Sequence, residues 1–98
     1  MSVSMVIEVR DKRAAEQVVQ AIETYKMRLA DGIGRTKRRL SEFERRCGRN
    51  TGYFLRQMTA EDLHGGDIEY VEWAGEARML ERLELELAEL EDVRYRLP

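Results

Sequence analysis

Residues 11–48 read DKRAAEQVVQAIETYKMRLADGIGRTKRRLSEFERRCG, and they carry a heptad pattern without a slip. Its core positions recur at alternating steps of four and three residues: Ala15, Val19, Ile22, Lys26, Leu29, Ile33, Thr36, Leu40, Phe43 and Cys47. Eight of these ten residues are apolar. Apolar residues at alternating steps of four and three are typical of a coiled-coil seam. Lys26 and Thr36 are the polar exceptions, and such residues are tolerated because they fix register or partner number. We therefore predict a long coiled-coil-like helix over 11–47.

The ends of this helix carry capping signals, and two glycines lie inside it. Asp11 suits an N-cap, and Gly48 suits the left-handed residue that ends a helix. Gly32 and Gly34 each cost ~1 kcal/mol relative to alanine, so the helix is either continuous or kinked at 32–34. An unbroken helix is about 55 Å long at ~1.5 Å per residue, which is too long for the rest of so small a chain to cover. This length predicts a homodimer or higher oligomer, with Val19, Ile22, Leu29, Ile33, Leu40 and Phe43 in its seam.

Two further helices are predicted after Gly48. Asn50 or Thr51 can cap a short connecting helix over 51–58, and Asp67 can cap a C-terminal helix over 67–91. The segment His64-Gly65-Gly66 between them has the composition of a loop. The C-terminal helix is amphipathic, because glutamates cover much of the face opposite its apolar stripe. That stripe consists of Tyr70, Trp73, Ala77, Leu80, Leu83, Leu87 and Leu90.

Both ends of the chain alternate between apolar and polar residues. Val3, Met5, Ile7 and Val9 lie on one side of a period-2 pattern over 3–10, and residues 93–97 alternate in the same way. We predict a short β-strand at each end, paired with the other or with a second copy, since an isolated strand leaves backbone groups unpaired. The alternative for 93–97 is a continuation of the preceding helix. The predicted fold class is mainly α, as one helical domain over 1–98 with short terminal β-strands.

Size and composition narrow the functional classes. The 98 residues are 43% hydrophobic and 37% charged, which is common in helical chains whose apolar residues are confined to stripes. The net charge is +6 before Thr59 and −8 from there onward. The two halves of the chain are therefore expected to attract each other, either within one fold or across a dimer. No apolar run exceeds three residues, and residues 1–10 lack the apolar region of a signal peptide. A soluble, cytoplasmic protein without membrane contact is expected.

No residue pattern predicts catalysis, a cofactor or a metal site. One cysteine and one histidine cannot form a disulfide framework or a soft-ligand zinc site within one chain. The acidic segment around Asp67 lacks the regular loop of a calcium site. His64 is most simply a loop residue, and Cys47 behaves as a small hydrophobe on the seam. We therefore predict that the protein is not an enzyme.

One cluster of basic residues could contact nucleic acid, and it lies between residues 35 and 49. On the heptad, Arg38 and Arg45 occupy the outermost position, with Arg35 and Arg49 beside them. Glu42 lies four residues from both Arg38 and Arg46 and partly neutralises the stripe. Aromatic residues are not interleaved with it, unlike common surfaces that stack single-stranded bases. Nucleic-acid binding is therefore the secondary interpretation.

A family resemblance extends over roughly residues 36–90. Residues 40–48 read LSEFERRCG, and they are followed by Phe54, by residues 66–73, GDIEYVEW, and by a leucine-rich helix. This order is similar to small antitoxin-like proteins of prokaryotic toxin–antitoxin modules. In those proteins a helix ends in a glycine-capped turn, a short helix bearing phenylalanine follows, and an acidic loop leads to an aromatic-Glu-Trp segment. The resemblance implies neutralisation of a toxin, often an RNase, by covering its working surface.

The sequence leaves the role of the aromatic residues open. Tyr70 and Trp73 are either core residues of a helical bundle or anchors for a partner, since buried aromatics dominate the energetics of both. The predicted partner-binding face comprises Tyr70, Trp73, Ala77 and Leu80, with acidic side chains steering a basic partner, the cognate toxin. The alternatives are a nucleic-acid-binding regulator that uses residues 35–49, and a structural adaptor subunit.

Overall fold

The computed structural model describes residues 3–57 and 68–95, which contain three helices. Helix α1 spans Lys12–Cys47, α2 spans Thr51–Gln57 and α3 spans Ile68–Glu91. The described part of the chain contains no β-strand, and the molecule measures 56 × 28 × 19 Å. The prediction of a mainly α chain with a long first helix is confirmed. Asp67, His64 and Met58, for which a cap, a loop and a helix end were predicted, lie outside the described residues.

Helix α1 is continuous and is capped at both ends as its sequence predicts. The Asp11 carboxylate accepts a hydrogen bond of 2.9 Å from the backbone N–H of Ala14. Gly48 adopts the left-handed conformation with φ 66°, and its N–H donates to the carbonyl of Glu44 at 2.9 Å. Gly32 does not end the helix. Its buried backbone carbonyl accepts a 2.9 Å bond from the Thr36 hydroxyl, so the polar seam residue Thr36 is satisfied inside its own helix.

Helices α1 and α3 form an antiparallel hairpin in heptad register. Arg46 pairs with Glu69 at 3.2 Å and Arg39 pairs with Glu76 at 2.9 Å. Seven residues before Arg39 on α1 and seven after Glu76 on α3, Gly32 faces Leu83. A methyl group added at Gly32 would lie 3.4 Å from Leu83 Cδ1. Each step moves back seven residues on α1 and forward seven on α3, which is the repeat that keeps one stripe of each helix facing the other.

The predicted seam is the face that α1 turns toward α3. All ten seam positions are buried or partly buried, and Leu29, Thr36, Leu40 and Phe43 are the most enclosed. The helix that covers them belongs to the same chain, so oligomerisation is not needed to bury this part of the seam. The length of α1 therefore predicts an oligomer only through its first turns, which precede the residues that face α3.

The predicted terminal strands are absent from the described residues 3–10 and 93–95, so this part of the prediction is wrong for the single chain. A strand requires a neighbouring strand to accept and donate its backbone hydrogen bonds. The two segments do not pair with each other: Tyr95 bonds instead to Glu23 on α1, and residues 3–10 are exposed. Helix α3 ends at Glu91, so the described part of the tail does not continue the helix either. Residues 96 and 97 lie outside the described residues.

Two helical glycines, Gly34 and Gly75, have room for a methyl group, so alanine at either position should stabilise the fold. At Gly34 an added methyl group would lie 3.5 Å from the flexible end of Arg38, and at Gly75 it would meet nothing within 4 Å. We expect Gly34→Ala and Gly75→Ala each to raise the free energy of unfolding by about 0.5–1 kcal/mol, measured by denaturant titration. Gly48→Ala is the control and should lower it by about 1 kcal/mol, because Gly48 has a positive φ. A loss of stability at Gly75 would contradict the propensity argument.

Candidate protein-binding surface

A stack of aromatic rings joins the three helices. Trp73 on α3 has no exposed surface and stacks on Phe54 of α2, with ring centroids 4.0 Å apart and planes 1° from parallel. It also stacks on Phe43 of α1 at 5.8 Å. Its indole N–H donates a 2.9 Å hydrogen bond to the Thr51 hydroxyl, so the one polar atom of the buried ring is satisfied. The stack therefore fixes α2 against the hairpin.

The four predicted partner-binding residues lie together around this stack. Tyr70 packs against Phe54 with centroids 5.3 Å apart, and Ala77 and Leu80 are partly buried against the same core cluster. Trp73 is enclosed by the chain itself and offers no surface in this conformation. Of the two roles that the sequence left open for Trp73, the structure places the residue in the core. Any partner contact in this region must use the side chains around it.

A groove opens where α1, α2 and α3 meet. Its volume is about 500 Å³, and its lining includes Leu40 of the core cluster together with Ala77 and Leu80, which pack against that cluster. Its apolar wall is formed by Leu40 of α1, Leu55 of α2, and Ala77 and Leu80 of α3. Polar residues complete the lining: Lys37, Ser41, Glu44, Thr51 and Glu81. An apolar concavity with a few charged groups at its edge is typical of a binding site.

The wall that α2 contributes is held by its N-terminal caps. The Asn50 side chain accepts a 2.7 Å bond from the N–H of Tyr53, as its predicted capping role requires. Glu44 on α1 accepts a 2.7 Å bond from the N–H of Thr51, which ties the start of α2 to the preceding helix. Sequence reasoning missed Glu44 and Leu55 as site residues. Adjacent residues of a helix such as Phe54 and Leu55 do not share one face, but the sequence of so short a helix does not show which of the two is buried.

The basic cluster is divided by the fold. Arg39 and Arg46 turn toward α3, where they pair with glutamates, and Arg46 also lies over the Phe43 ring at 5.0 Å. The four predicted nucleic-acid contacts are all exposed: Arg35, Arg38, Arg45 and Arg49. Arg49 lies over the Tyr53 ring at 5.8 Å. Among the described residues, Arg35, Arg38 and Arg45 have no carboxylate within ion-pair distance, so this side of α1 presents positive charge to solvent.

Two tyrosine–glutamate hydrogen bonds join the helices at the other end of the hairpin. Tyr25 on α1 donates to Glu86 on α3 at 3.1 Å, and Tyr95 after α3 donates to Glu23 on α1. The bond to Glu86 raises the pKa of Tyr25, and the bond to Glu23 raises the pKa of Tyr95. The same Tyr95 hydroxyl lowers the pKa of the Glu23 carboxyl. These bonds favour the neutral phenol and the charged carboxylate, so both form at neutral pH. They weaken in strong base, where the phenol loses the proton that it donates.

No protein family, curated protein or solved structure matches this chain. Within residues 3–57 and 68–95, no group of three or more His, Cys, Asp or Glu side chains is arranged to hold a metal ion. None of the helices in that part of the chain combines the length and apolar character needed to cross a membrane. The groove, with its leucine walls and charged residues, is a candidate binding site.

Proposed function

We propose that this protein is a helical protein-binding module, and specifically an antitoxin that neutralises a cognate toxin by covering its working surface. The observation that carries the proposal is the groove between the three helices, because two of the predicted partner-binding residues, Ala77 and Leu80, line it. The similarity of residues 36–90 to antitoxin-like proteins supports the specific identity. The aromatic stack that holds α2 against the hairpin supports a rigid surface, which lowers the entropy lost on binding.

The chemistry of the groove defines the partner segment that it fits. Its walls, Leu40, Leu55 and Leu80, accommodate one or two apolar side chains. Lys37 and Glu81 on its edge can pair with polar groups that flank those side chains. Helix α3 carries eight glutamates and only two arginines, so its field attracts a basic protein such as a nuclease toxin. We therefore propose an amphipathic segment of a basic toxin as the occupant.

A pair of leucine substitutions tests the groove. Leu55 lines it and is 37% exposed, whereas Leu85 lies outside it on α3 and is 60% exposed. We expect Leu55→Glu to weaken binding to the product of the adjacent open reading frame by at least about tenfold, because it places a charge in an apolar interface. Leu85→Glu, which introduces the same charge, should change affinity by less than about threefold. Calorimetric titration measures both affinities, and circular dichroism checks that both variants remain helical.

Growth of cells that co-express the neighbouring product provides the functional readout. Wild type and Leu85→Glu should protect against a toxic neighbour, and Leu55→Glu should not. If wild type neither binds the neighbouring product nor restores growth, the antitoxin proposal is wrong. Binding without any effect on toxicity favours the structural adaptor instead.

Nucleic-acid binding is the second candidate, and one observation favours it. Arg35, Arg38 and Arg45 are exposed and have no ion-pair partner among the described residues. Against it, the adjacent Arg39 and Arg46 are used within the fold. Tight binding of DNA or RNA by the free protein, with affinity that falls steeply as salt rises, would reverse the order of the two proposals.

A further inference from the structure

We infer that residues 3–9 pair with the same residues of a second copy as a two-stranded antiparallel ribbon, which makes the protein a homodimer. The inference concerns a surface remote in sequence from the groove and does not rest on the antitoxin proposal. Residues 3–9 contain five large apolar side chains and a single charged one, Glu8. In the described chain their backbone makes no hydrogen bond to another described residue.

The exposure of this segment is unusual for such apolar residues. Val3 is 89% exposed, Met5 78% and Val6 81%, and exposure falls to 54% at Ile7 and 39% at Val9 as the chain approaches α1. Unpaired extended backbone with β-branched side chains is a template for another strand. A second strand would satisfy the backbone and cover the side chains together.

The first half of α1 also lacks full cover within the chain. Ala15, Val18, Val19 and Ile22 are apolar but only partly buried, and the first buried residue of α1 is Leu29. The described tail after α3 reaches back to Glu23 through Tyr95, so the turns of α1 before Glu23 extend past that contact. A two-stranded ribbon is marginal alone but becomes stable when one face packs on a helix. These turns of α1 provide that helix at the same end of the molecule.

The sequence of the segment is complementary to itself in one antiparallel register. With Val6 opposite Val6 of the second copy, Val3 lies opposite Val9 and Met5 opposite Ile7, so apolar residues meet on one face. On the other face Val6 meets Val6 of the second copy and Ser4 lies opposite Glu8, so the two Glu8 carboxylates are not paired with each other. A second copy thus satisfies both faces, and it brings its own α1 to cover the apolar one.

The chain exposes more surface than a compact monomer of its mass. The chain exposes 8165 Å². A compact monomer of its mass, 11.5 kDa, exposes about 5,800 Å². A standard dimer interface removes only about 800 Å² from each partner. Part of the excess follows from the elongated hairpin, with its radius of gyration of 19.1 Å, and the apolar N-terminal segment contributes further exposed area.

Adjacent lysine substitutions test whether the apolar face forms the interface. Met5→Lys places a charge on that face and is expected to raise the dimer dissociation constant by at least about tenfold. Ser4→Lys is the matched control, because it adds the same charge opposite Glu8 and should leave the dimer intact. Sedimentation equilibrium of the full chain measures both. A wild-type protein that is monomeric at micromolar concentration, or a Met5→Lys variant that dimerises as tightly as wild type, overturns the inference.

Cysteine crosslinking tests the register, in a Cys47→Ala background that removes the native thiol. Val6→Cys should form a disulfide-linked dimer under mild oxidation, because its α-carbons lie opposite each other across the two-fold axis. Ser4→Cys should not, since the two Ser4 positions are separated by about 13 Å along the ribbon. Equal crosslinking at both positions overturns the register. Leu55→Glu should leave dimerisation unchanged, so a failed groove experiment and a failed dimer experiment are distinguishable.

Discussion

Replacing Trp73 by alanine is expected to lower the free energy of unfolding by about 3–5 kcal/mol, the largest loss expected from any single substitution in the core. Trp73 is fully buried and contacts both Phe43 and Phe54 through stacked rings. The substitution also leaves the Thr51 hydroxyl without its indole donor. Since domains of this size are stable by about 5–15 kcal/mol, the variant should lose a large part of its stability. The melting temperature should fall by roughly 15–30 °C, measured by circular dichroism.

Two control variants separate the contributions at Trp73. Trp73→Phe keeps a stacked ring but removes the N–H donor, so its cost should be smaller, about 1–3 kcal/mol. Ile68 lies on the same helix and is 74% exposed, so Ile68→Ala should change the free energy of unfolding by less than about 0.5 kcal/mol. A Trp73→Ala protein that melts within a few degrees of wild type would contradict the core role of this residue. If a folded Trp73→Phe variant still binds the partner, Trp73 acts as a core residue and not as a direct partner contact.

Replacing Phe54 by alanine is expected to cost about 3–4 kcal/mol and to release α2 from the hairpin. Phe54 is 3% exposed and is the one fully buried residue of α2. The centroid of its ring lies 4.0 Å from that of Trp73 and 5.3 Å from that of Tyr70. The other residues of this seven-residue helix are at least partly exposed. Amide hydrogen exchange should therefore quicken over 51–57 more than over the centre of α1, because α2 has no second anchor of comparable size.

The neighbouring residue provides the control for Phe54. Tyr53 is 44% exposed on the same helix, so Tyr53→Ala should cost less than about 1 kcal/mol. Because Phe54 and Trp73 are in contact, the double alanine variant should lose less stability than the two single losses added together. Strict additivity would mean that the two rings do not stabilise the fold as one cluster. Uniformly faster exchange across all helices would mean that α2 and the hairpin unfold together.

The groove depends on this same cluster, which explains why its residues were only partly predicted. Ala77 and Leu80 could be inferred because they lie on the apolar stripe of the C-terminal helix. Leu55 and Glu44 could not be inferred, because their place in the groove depends on how α2 folds back after Gly48. A seven-residue helix has too few positions for its periodicity to define the direction of its apolar face. The position of Phe54 against Trp73 sets that direction.

The heptad of α1, its two caps and the stripe of α3 were determined by the sequence alone. These features are local: capping depends on a side chain within one turn, and a stripe depends on the spacing of residues along one helix. The continuity of α1 at Gly32 was not determined in this way, since the propensity cost of glycine is offset by packing against Leu83. Packing between helices is energetically larger than the local preference.

Which helix covers the seam follows from contacts between distant parts of the chain and not from the heptad itself. A heptad predicts that a partner helix exists, but it does not specify whether that helix comes from the same chain or from another. The same limit applies to Trp73, since an aromatic residue is suited to a core and to an interface alike. The hairpin resolves both questions, because α3 packs on the seam in the register marked by the Arg46–Glu69 and Arg39–Glu76 pairs, and Trp73 is enclosed between Phe43 and Phe54. Contacts between residues distant in the sequence depend on the whole chain, and the spacing of residues within one helix does not contain them.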